Sequence, residues 1–428
     1  MNEIASVFGW MIVGLTLAAG YGWSARLLRE QSWTTVLLGL ALGVGALTLI
    51  MFWESVLGMS LTLPGIALPY FAVMLPGWWR VRPPRPRLPE SWDRRFMLLV
   101  LLALSAAVLF NGANLPFHRD DTLGIYQPAA QTIYRSGALV PLMGADSLYR
   151  AYPILVPLSY AYAYFASGWE NEYLAKTIAT LLSLACLPTA CVLGKRLRDE
   201  RTGWLAALAL ALTPFFSRWA SSGYVDLPMA FFYVLAAVLA LRLYESHRLQ
   251  DAVLAGALVG LAAWTKNAAL IGVVLLALWL VWCRINGRIG WRAAIYCLIA
   301  CAVVAAPWYV RNLIGAGFIM PDTAWTDQAQ RSLENIFVLI THPENFGAPG
   351  WLIVASVLAA LPAARRREPG VLLILLWTLP FFAAWWLFVS YDPRFLLLFL
   401  PPLAGGGRSA GAAVGLALIR HGVRAPAL

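Results

Sequence analysis

Residues 252–283 read AVLAGALVGLAAWTKNAALIGVVLLALWLVWC, and their only charged side chain is Lys266. Two apolar runs, 252–264 and 267–283, flank a polar break at 265–267. Inside a bilayer the backbone must satisfy its own hydrogen bonds, so such runs are read as helices and the break as a turn at the membrane surface. The pattern repeats outward in both directions. Apolar runs lie near 4–23, 33–53, 61–79, 96–113, 173–194, 203–220, 226–243, 291–310, 349–364, 371–389 and 395–418. The expectation is an all-α, polytopic integral membrane protein with about 13 transmembrane helices. The first run has no basic segment before it and no small-residue cleavage pattern after it, so it reads as a retained span.

Composition agrees. The 428 residues are 61% hydrophobic and 12% charged, with a mean hydropathy of +0.70, whereas soluble domains carry about 25% charged residues. The net charge of +11 does not point to nucleic acid, because the basic residues are dispersed among short loops. They fall at Arg26 and Arg29, from Arg80 to Arg95, from Lys195 to Arg201, at Arg242 and Arg248, at Arg284, Arg288 and Arg292, and from Arg365 to Arg367. Placing these loops in the cytoplasm puts the N-terminus outside and the C-terminus inside. The chain then divides into a three-span unit (1–79), a basic Pro-rich cytoplasmic linker (80–95) and a transmembrane core (96–428). Residues 152–167, with four tyrosines and two prolines, read as a juxtamembrane or re-entrant helix. Two sizeable external loops result, 114–172 and 311–348. The five cysteines show no disulfide spacing. Cys297 and Cys301 share a helix face without carboxylate or histidine neighbours, and the four histidines are scattered. No metal site and no cofactor are expected.

Ionisable residues gather at the external ends of the predicted spans. Asp120 and Asp121 follow His118 and Arg119 directly after a span, where a carboxylate can serve as general base or simply cap a helix. Asp226, in SSGYVDLP at 221–228, has the position of an N-cap and is also placed to orient Lys266 as an ion pair. Lys266 suits either snorkelling or contact with a lipid phosphate. Arg311, in PWYVRN at 307–312, and Arg394, in YDPRF at 391–395, offer bidentate phosphate contacts, with Tyr391 beside the latter. Groups from five separated stretches thus fall on one predicted membrane face.

The ordered set of motifs resembles the protein mannosyltransferase and aminoarabinose transferase group, the GT-C fold of lipid-phosphate-sugar glycosyltransferases. The motifs are Asp120-Asp121 followed by Tyr126 and a helix ending at Arg135; Tyr152-Pro153 with Pro157; Lys195-Arg196-Leu197; Asp226-Leu227-Pro228; GLAAWTK at 260–266; PWYVRN at 307–312; and RFLLLFLPPL at 394–403. The resemblance covers about residues 96–405. It implies a GT-C-like core with juxtamembrane helices in the first large external loop. It makes Asp120 or Asp121 the catalytic base, with Asp120 favoured as the first of the pair. Lys266, Arg311 and Arg394 become ligands of the donor phosphate, supported by Arg119, Tyr126, Tyr152, Asp226 and Tyr391. The chain departs from the group at Asn267, where a glycine is common, and in its three-span N-terminal unit.

The expected activity is inverting transfer of a sugar from a polyprenyl phosphate to an acceptor hydroxyl on a glycan, lipid or protein. It would take place on the non-cytoplasmic face of a cell membrane of bacterial type. Partners are then the lipid-linked donor, membrane lipid and the acceptor. Two other readings remain: a flippase or transporter for polyprenyl-linked glycans, and a glycan polymerase or ligase using a diphosphate-linked donor. A transporter should hold its polar groups near the bilayer midplane and often shows repeated halves.

Overall fold

The computed structural model describes residues 2–83, 89–140, 142, 150–321, 326–347, 349–351 and 367–398. The helices, in order, are α1 (Asn2–Ala19), α2 (Tyr21–Leu28), α3 (Trp33–Val56), α4 (Leu63–Met74), α5 (Trp92–Asn114), α6 (Gln127–Ser136), α7 (Leu155–Ser167), α8 (Glu172–Leu184) and α9 (Cys186–Leu197). They continue with α10 (Glu200–Ala211), α11 (Pro214–Ala220), α12 (Asp226–Ser246), α13 (Leu249–Thr265), α14 (Leu270–Ile285), α15 (Trp291–Ala316), α16 (Leu333–Thr341) and α17 (Pro369–Phe388). No strand occurs among the described residues. Side chains cap the helices where the sequence supplies them. Ser32 Oγ accepts from Thr35 N, Asn171 Oδ1 from Leu174 N, and Asp199 Oδ1 from Thr202 N at 2.7 Å.

Eight helices among the described residues are long and apolar enough to cross a membrane, and two shorter apolar ones span Leu63–Trp78 and Leu249–Thr265. The protein is therefore an integral, multi-pass membrane protein. The expected thirteen spans are not all present as such. The run at 203–220 is broken at Leu212-Thr213 into α10 and α11, because Pro214 has no N–H to continue a helix. The runs at 349–364 and 395–418 lie almost wholly outside the described residues, as do Arg365 and Arg366. The expected linker is shorter than 80–95: α5 already starts at Trp92, and 84–88 are not among the described residues.

Helix α7 covers most of the predicted 152–167 element and packs its tyrosines inside the first unit. Tyr160, Tyr162 and Tyr164 are all 0% exposed. Tyr162 shares a hydrogen bond with Thr16 at 2.7 Å, and Tyr160 Oη donates to Gly223 O at 2.6 Å. Burial pushes the Tyr160 phenol far above its ordinary range, which keeps it a neutral donor.

The chain forms two compact units that do not follow the sequence-based division at 79 and 96. The first comprises Met1–Leu88, Ser105–Cys186 and Arg218–Ala324; the second comprises Pro89–Leu104, Leu187–Ser217 and Trp325–Leu428. In the first unit the N-terminal helices pack directly on the others: Phe52 of α3 meets Trp264 at 5.0 Å and Trp308 at 6.3 Å between ring centroids. Helices α13 and α15 approach so closely that a Cβ on Gly256 would lie 1.9 Å from Cys297 O. Small residues at helix interfaces permit this backbone contact within a membrane. Cys297 and Cys301 are packing residues of that seam, buried and unbridged.

One end of the first unit collects basic loops. Arg242 pairs with Glu30 at 2.8 Å and Asp251 at 3.0 Å, Arg26 donates to Trp79 O, and Arg288 stacks over Tyr244 at 4.5 Å. In the second unit Arg94 pairs with Glu200 at 2.6 Å, Phe215 N donates to Asn345 O at 2.9 Å, and Arg331 Nε donates to Leu387 O.

The seam between α13 and α15 is testable. Gly256→Leu puts a side chain where Cys297 O stands, and overpacking of this kind costs about 1–3 kcal/mol or more. The variant is expected to melt well below the parent in detergent. An unchanged melting temperature would contradict the close backbone approach.

Candidate active site

Helices α12 and α13 form an antiparallel hairpin, so the start of one and the end of the other share an end of the first unit. Asp226 opens α12, and Lys266 closes α13 in extended backbone (φ −156°, ψ 140°) before a 3-10 turn at Asn267–Ala269. That break points the lysine across the hairpin. Lys266 Nζ meets Asp226 Oδ1 at 2.5 Å, with side chains only 10% and 3% exposed. The N-cap assignment for Asp226 is corrected here. Val225 holds the cap position, without a side-chain hydrogen bond, and Asp226 is the first helical residue. Its second oxygen, Oδ2, is buried without a hydrogen-bond partner among the described residues.

The acid pair stands at the same end. Residues 120–136 form one helical stretch that contains a π-helical turn at Thr122–Tyr126. Such turns often mark functional sites. Asp120 is exposed and Asp121 half-buried. Asp121 N donates to Tyr224 Oη at 3.0 Å, and Thr122 Oγ1 contacts Ser222 O at 3.4 Å. Tyr224 lies two residues before Asp226, so the acid pair is tied to the turn segment that leads into the ion pair. Two carboxylates in the first turn of a helix are stabilised by the positive end of its dipole. Arg119 stacks over Trp219 at 5.1 Å, with Nε buried and unpartnered among the described residues. Trp219 and Tyr126 meet the Tyr224 ring at 4.7 and 6.1 Å.

Helix α15 returns to this end. Tyr309 Oη donates to Ala263 O at 2.8 Å and contacts Asn267 Oδ1 at 3.3 Å, beside Lys266. Two residues on, Arg311 Nη2 donates to Val140 O at 2.5 Å and its guanidinium stacks on Trp308 at 4.6 Å. Arg311 Nη1 is buried with no partner among the described residues. Trp308 Nε1 and Asn312 Nδ2 both donate to Ala151 O, which places half-buried Tyr152 next in the chain. Arg311 lines an apolar groove of 520 Å³ with Phe52, Trp53, Val56, Val310 and Ile314.

Four of the five predicted stretches thus lie in the first unit, at Asp120-Asp121 with Arg119 and Tyr126, at Asp226, at Lys266 and at Arg311. Arg394 and Tyr391 belong to the second unit. There Arg394 Nη2 pairs with Asp392 Oδ2 at 2.8 Å, and its guanidinium stacks on Phe395 at 5.4 Å. Tyr224 and Trp219 carry no motif that marks them in the sequence. The converging end is opposite the basic loops of the unit, since Asp226 and Arg242 are about 24 Å apart along α12 at 1.5 Å per residue.

With the geometry in place, comparison with known proteins defines the class. Solved structures of ArnT from Cupriavidus metallidurans superpose on the chain with a TM-score of 0.56 at 20% identity. The one bound to undecaprenyl phosphate covers 76% of this chain and 63% of its own, and the apo state 77% and 64%. The chain therefore has the GT-C fold and spans under two thirds of the length of these structures. A narrower likeness agrees with it. The profile of the dolichyl-phosphate-mannose-protein mannosyltransferase family matches residues 171–310, about a third of the chain. The chain thus resembles the mannosyltransferase and aminoarabinose transferase group. No curated protein sequence matches it.

The buried pair generates a stability test. Removing one member of a buried ion pair costs about 3–5 kcal/mol, because the other is left charged and unpaired. Lys266→Met is expected to lower thermal stability by that order, and the Asp226→Asn, Lys266→Met double variant to recover most of the loss. Additive losses would mean that the two side chains do not interact.

Proposed function

We propose that this chain is a glycosyltransferase that moves a sugar from a polyprenyl phosphate to an acceptor hydroxyl, with inversion at the anomeric carbon. The observation that carries the reading is the convergence of the acid pair, the Asp226–Lys266 pair and Arg311 at one end of the first unit, opposite the basic loops. The match to the mannosyltransferase profile and the GT-C fold support it. So does the undecaprenyl phosphate bound to ArnT.

Chemistry assigns the parts. Asp120 takes the proton of the acceptor hydroxyl as its oxygen attacks the anomeric carbon. It is the exposed member of the pair, and a base must reach an acceptor arriving from outside. Asp121, tied to Tyr224 through its backbone, fixes the turn. The bond from the anomeric carbon to the phosphate oxygen breaks, and polyprenyl phosphate leaves. The donor phosphodiester carries one negative charge and the departing monoester approaches two, so fixed cations favour the transition state over the ground state. Lys266 and Arg311 supply that charge. Arg394 lies in the second unit, paired with Asp392, and is left outside this assignment. The groove beside Arg311 is apolar, as a prenyl chain requires. Phosphate is already a good leaving group, so the reaction needs neither a general acid nor a metal. The positive-inside rule puts the site on the non-cytoplasmic face, and a bacterial cell membrane is the proposed setting. The acceptor is a hydroxyl of a glycan, lipid or protein.

The experiment is incubation of the purified protein with a panel of radiolabelled polyprenyl-phosphate sugars and a membrane extract, followed by mass spectrometry of labelled product. Transfer with release of polyprenyl monophosphate is expected. Asp120→Asn should reduce it by about 100-fold or more, and Asp121→Asn by less. Transfer should persist in EDTA. Full turnover by both single variants and the double variant would remove the assignment of the base.

A further inference from the structure

Lys176 is 0% exposed and sits in the second turn of α8, inside a helix apolar enough to span the membrane. A lysine at such depth is costly unless its ammonium is satisfied. Its Nζ donates to Leu115 O and to Pro116 O, the latter at 3.0 Å. One turn earlier on the same helix, Glu172 Oε2 accepts from Phe117 N at 3.1 Å. Residues four apart share a helix face, so one face of α8 holds both peptide groups that join Leu115, Pro116 and Phe117, just beyond the end of α5. Pro116 stops that helix, and the carbonyls around a helix C-terminus favour a cation. The third gripped residue is locked on its other side. The Phe117 ring meets Tyr160 at 5.3 Å, and a Cβ on Gly223 (φ +80°) would lie 2.6 Å from that ring. Asp120 follows three residues later, and Gly223 precedes Asp226 by three.

We infer that Lys176 and Glu172 are positioning residues, which clamp 115–117 and so set where the carboxylates of Asp120 and Asp121 stand relative to the Asp226–Lys266 pair. The claim rests on the transferase reading for its kinetic consequence but not for its structural one. Neither residue lies among the groups assigned to the chemistry. The clamp is chemically asymmetric: a cation takes the carbonyls and an anion takes the N–H, so neither residue can exchange roles with the other. Displacement of a base by about 1 Å costs about 100-fold in rate, and the clamp acts on the segment that leads into that base.

Two measurements test it on the full-length protein in detergent. Hydrogen exchange followed by mass spectrometry reads the amides of 115–123. Lys176→Met is expected to raise exchange there while leaving 226–246 protected, and Lys176→Arg, which keeps a donor for both carbonyls, to restore protection in part. Glu172→Gln is the milder variant and should loosen the Phe117 amide alone. If the transferase reading holds, Lys176→Met lowers kcat by about 10- to 100-fold with little change in donor KM, and Lys176→Arg recovers part of it. Unchanged exchange at 115–123 in both Lys176→Met and Glu172→Gln overturns the clamp. Loosened exchange with unchanged kcat overturns its positioning role. Absence of transfer by the parent protein counts against the transferase reading alone, and the exchange result still decides the clamp.

Discussion

The buried contact between Lys266 and Asp226 is the constraint on which the rest of the first unit depends. A lysine nearly withdrawn from solvent, at the open end of the α12–α13 hairpin, is tolerable only with a counter-charge within hydrogen-bonding reach. That requirement fixes the register of α12 against α13. It also fixes Asn267, which receives Tyr309, and so the end of α15 that carries Arg311. On the other side of Asp226, the 222–224 segment receives the helix of the acid pair. One ion pair therefore links three stretches that are far apart in sequence. Its geometry leaves Asp226 with one committed oxygen and one buried oxygen unpartnered among the described residues.

The two ends of the first unit differ in electrostatic character. At one end Arg242 is neutralised by Glu30 and Asp251, a closed cluster that ties the α2–α3 turn to the α12–α13 hairpin. At the other, Arg119 and Arg311 each stack on a tryptophan and keep a buried nitrogen without a partner among the described residues. Guanidinium groups held by aromatic faces keep their charge and a preset orientation, which is what recognition of a phosphate group demands. Small residues along the seam of α13 and α15 let the backbones touch, so the platform under these groups is stiff.

Much of this was legible in the sequence, and the failures have physical causes. Long apolar runs reveal helices because lipid leaves the backbone no other choice, and the break at Thr265-Lys266-Asn267 marked the turn between α13 and α14. Asp226 before Leu227-Pro228 looked like a cap because Asp commonly is one; a local rule has no view of Lys266 across the hairpin. The partners of the α7 tyrosines were not legible, since composition alone does not tell which phenol meets Thr16 or Gly223. Lys176 drew no notice because a lysine near a helix start usually reaches solvent, and only tertiary structure brings Leu115 and Pro116 over it. Tyr224 stands in a short turn that carries no motif; a long-range hydrogen bond to Asp121 gives it meaning. Arg394 was grouped with the others by motif order, and it falls in the second unit.

The central claim is that one end of the first unit receives a polyprenyl phosphate. A short-chain polyprenyl phosphate bearing a photoreactive group, crosslinked to the protein in lipid vesicles and mapped by peptide mass spectrometry, tests it most directly. The account predicts adducts within 219–226, 263–270 and 307–315, competed away by unlabelled polyprenyl phosphate. Adducts confined to 26–30, 242–251 and 284–292, at the basic-loop end, would contradict it.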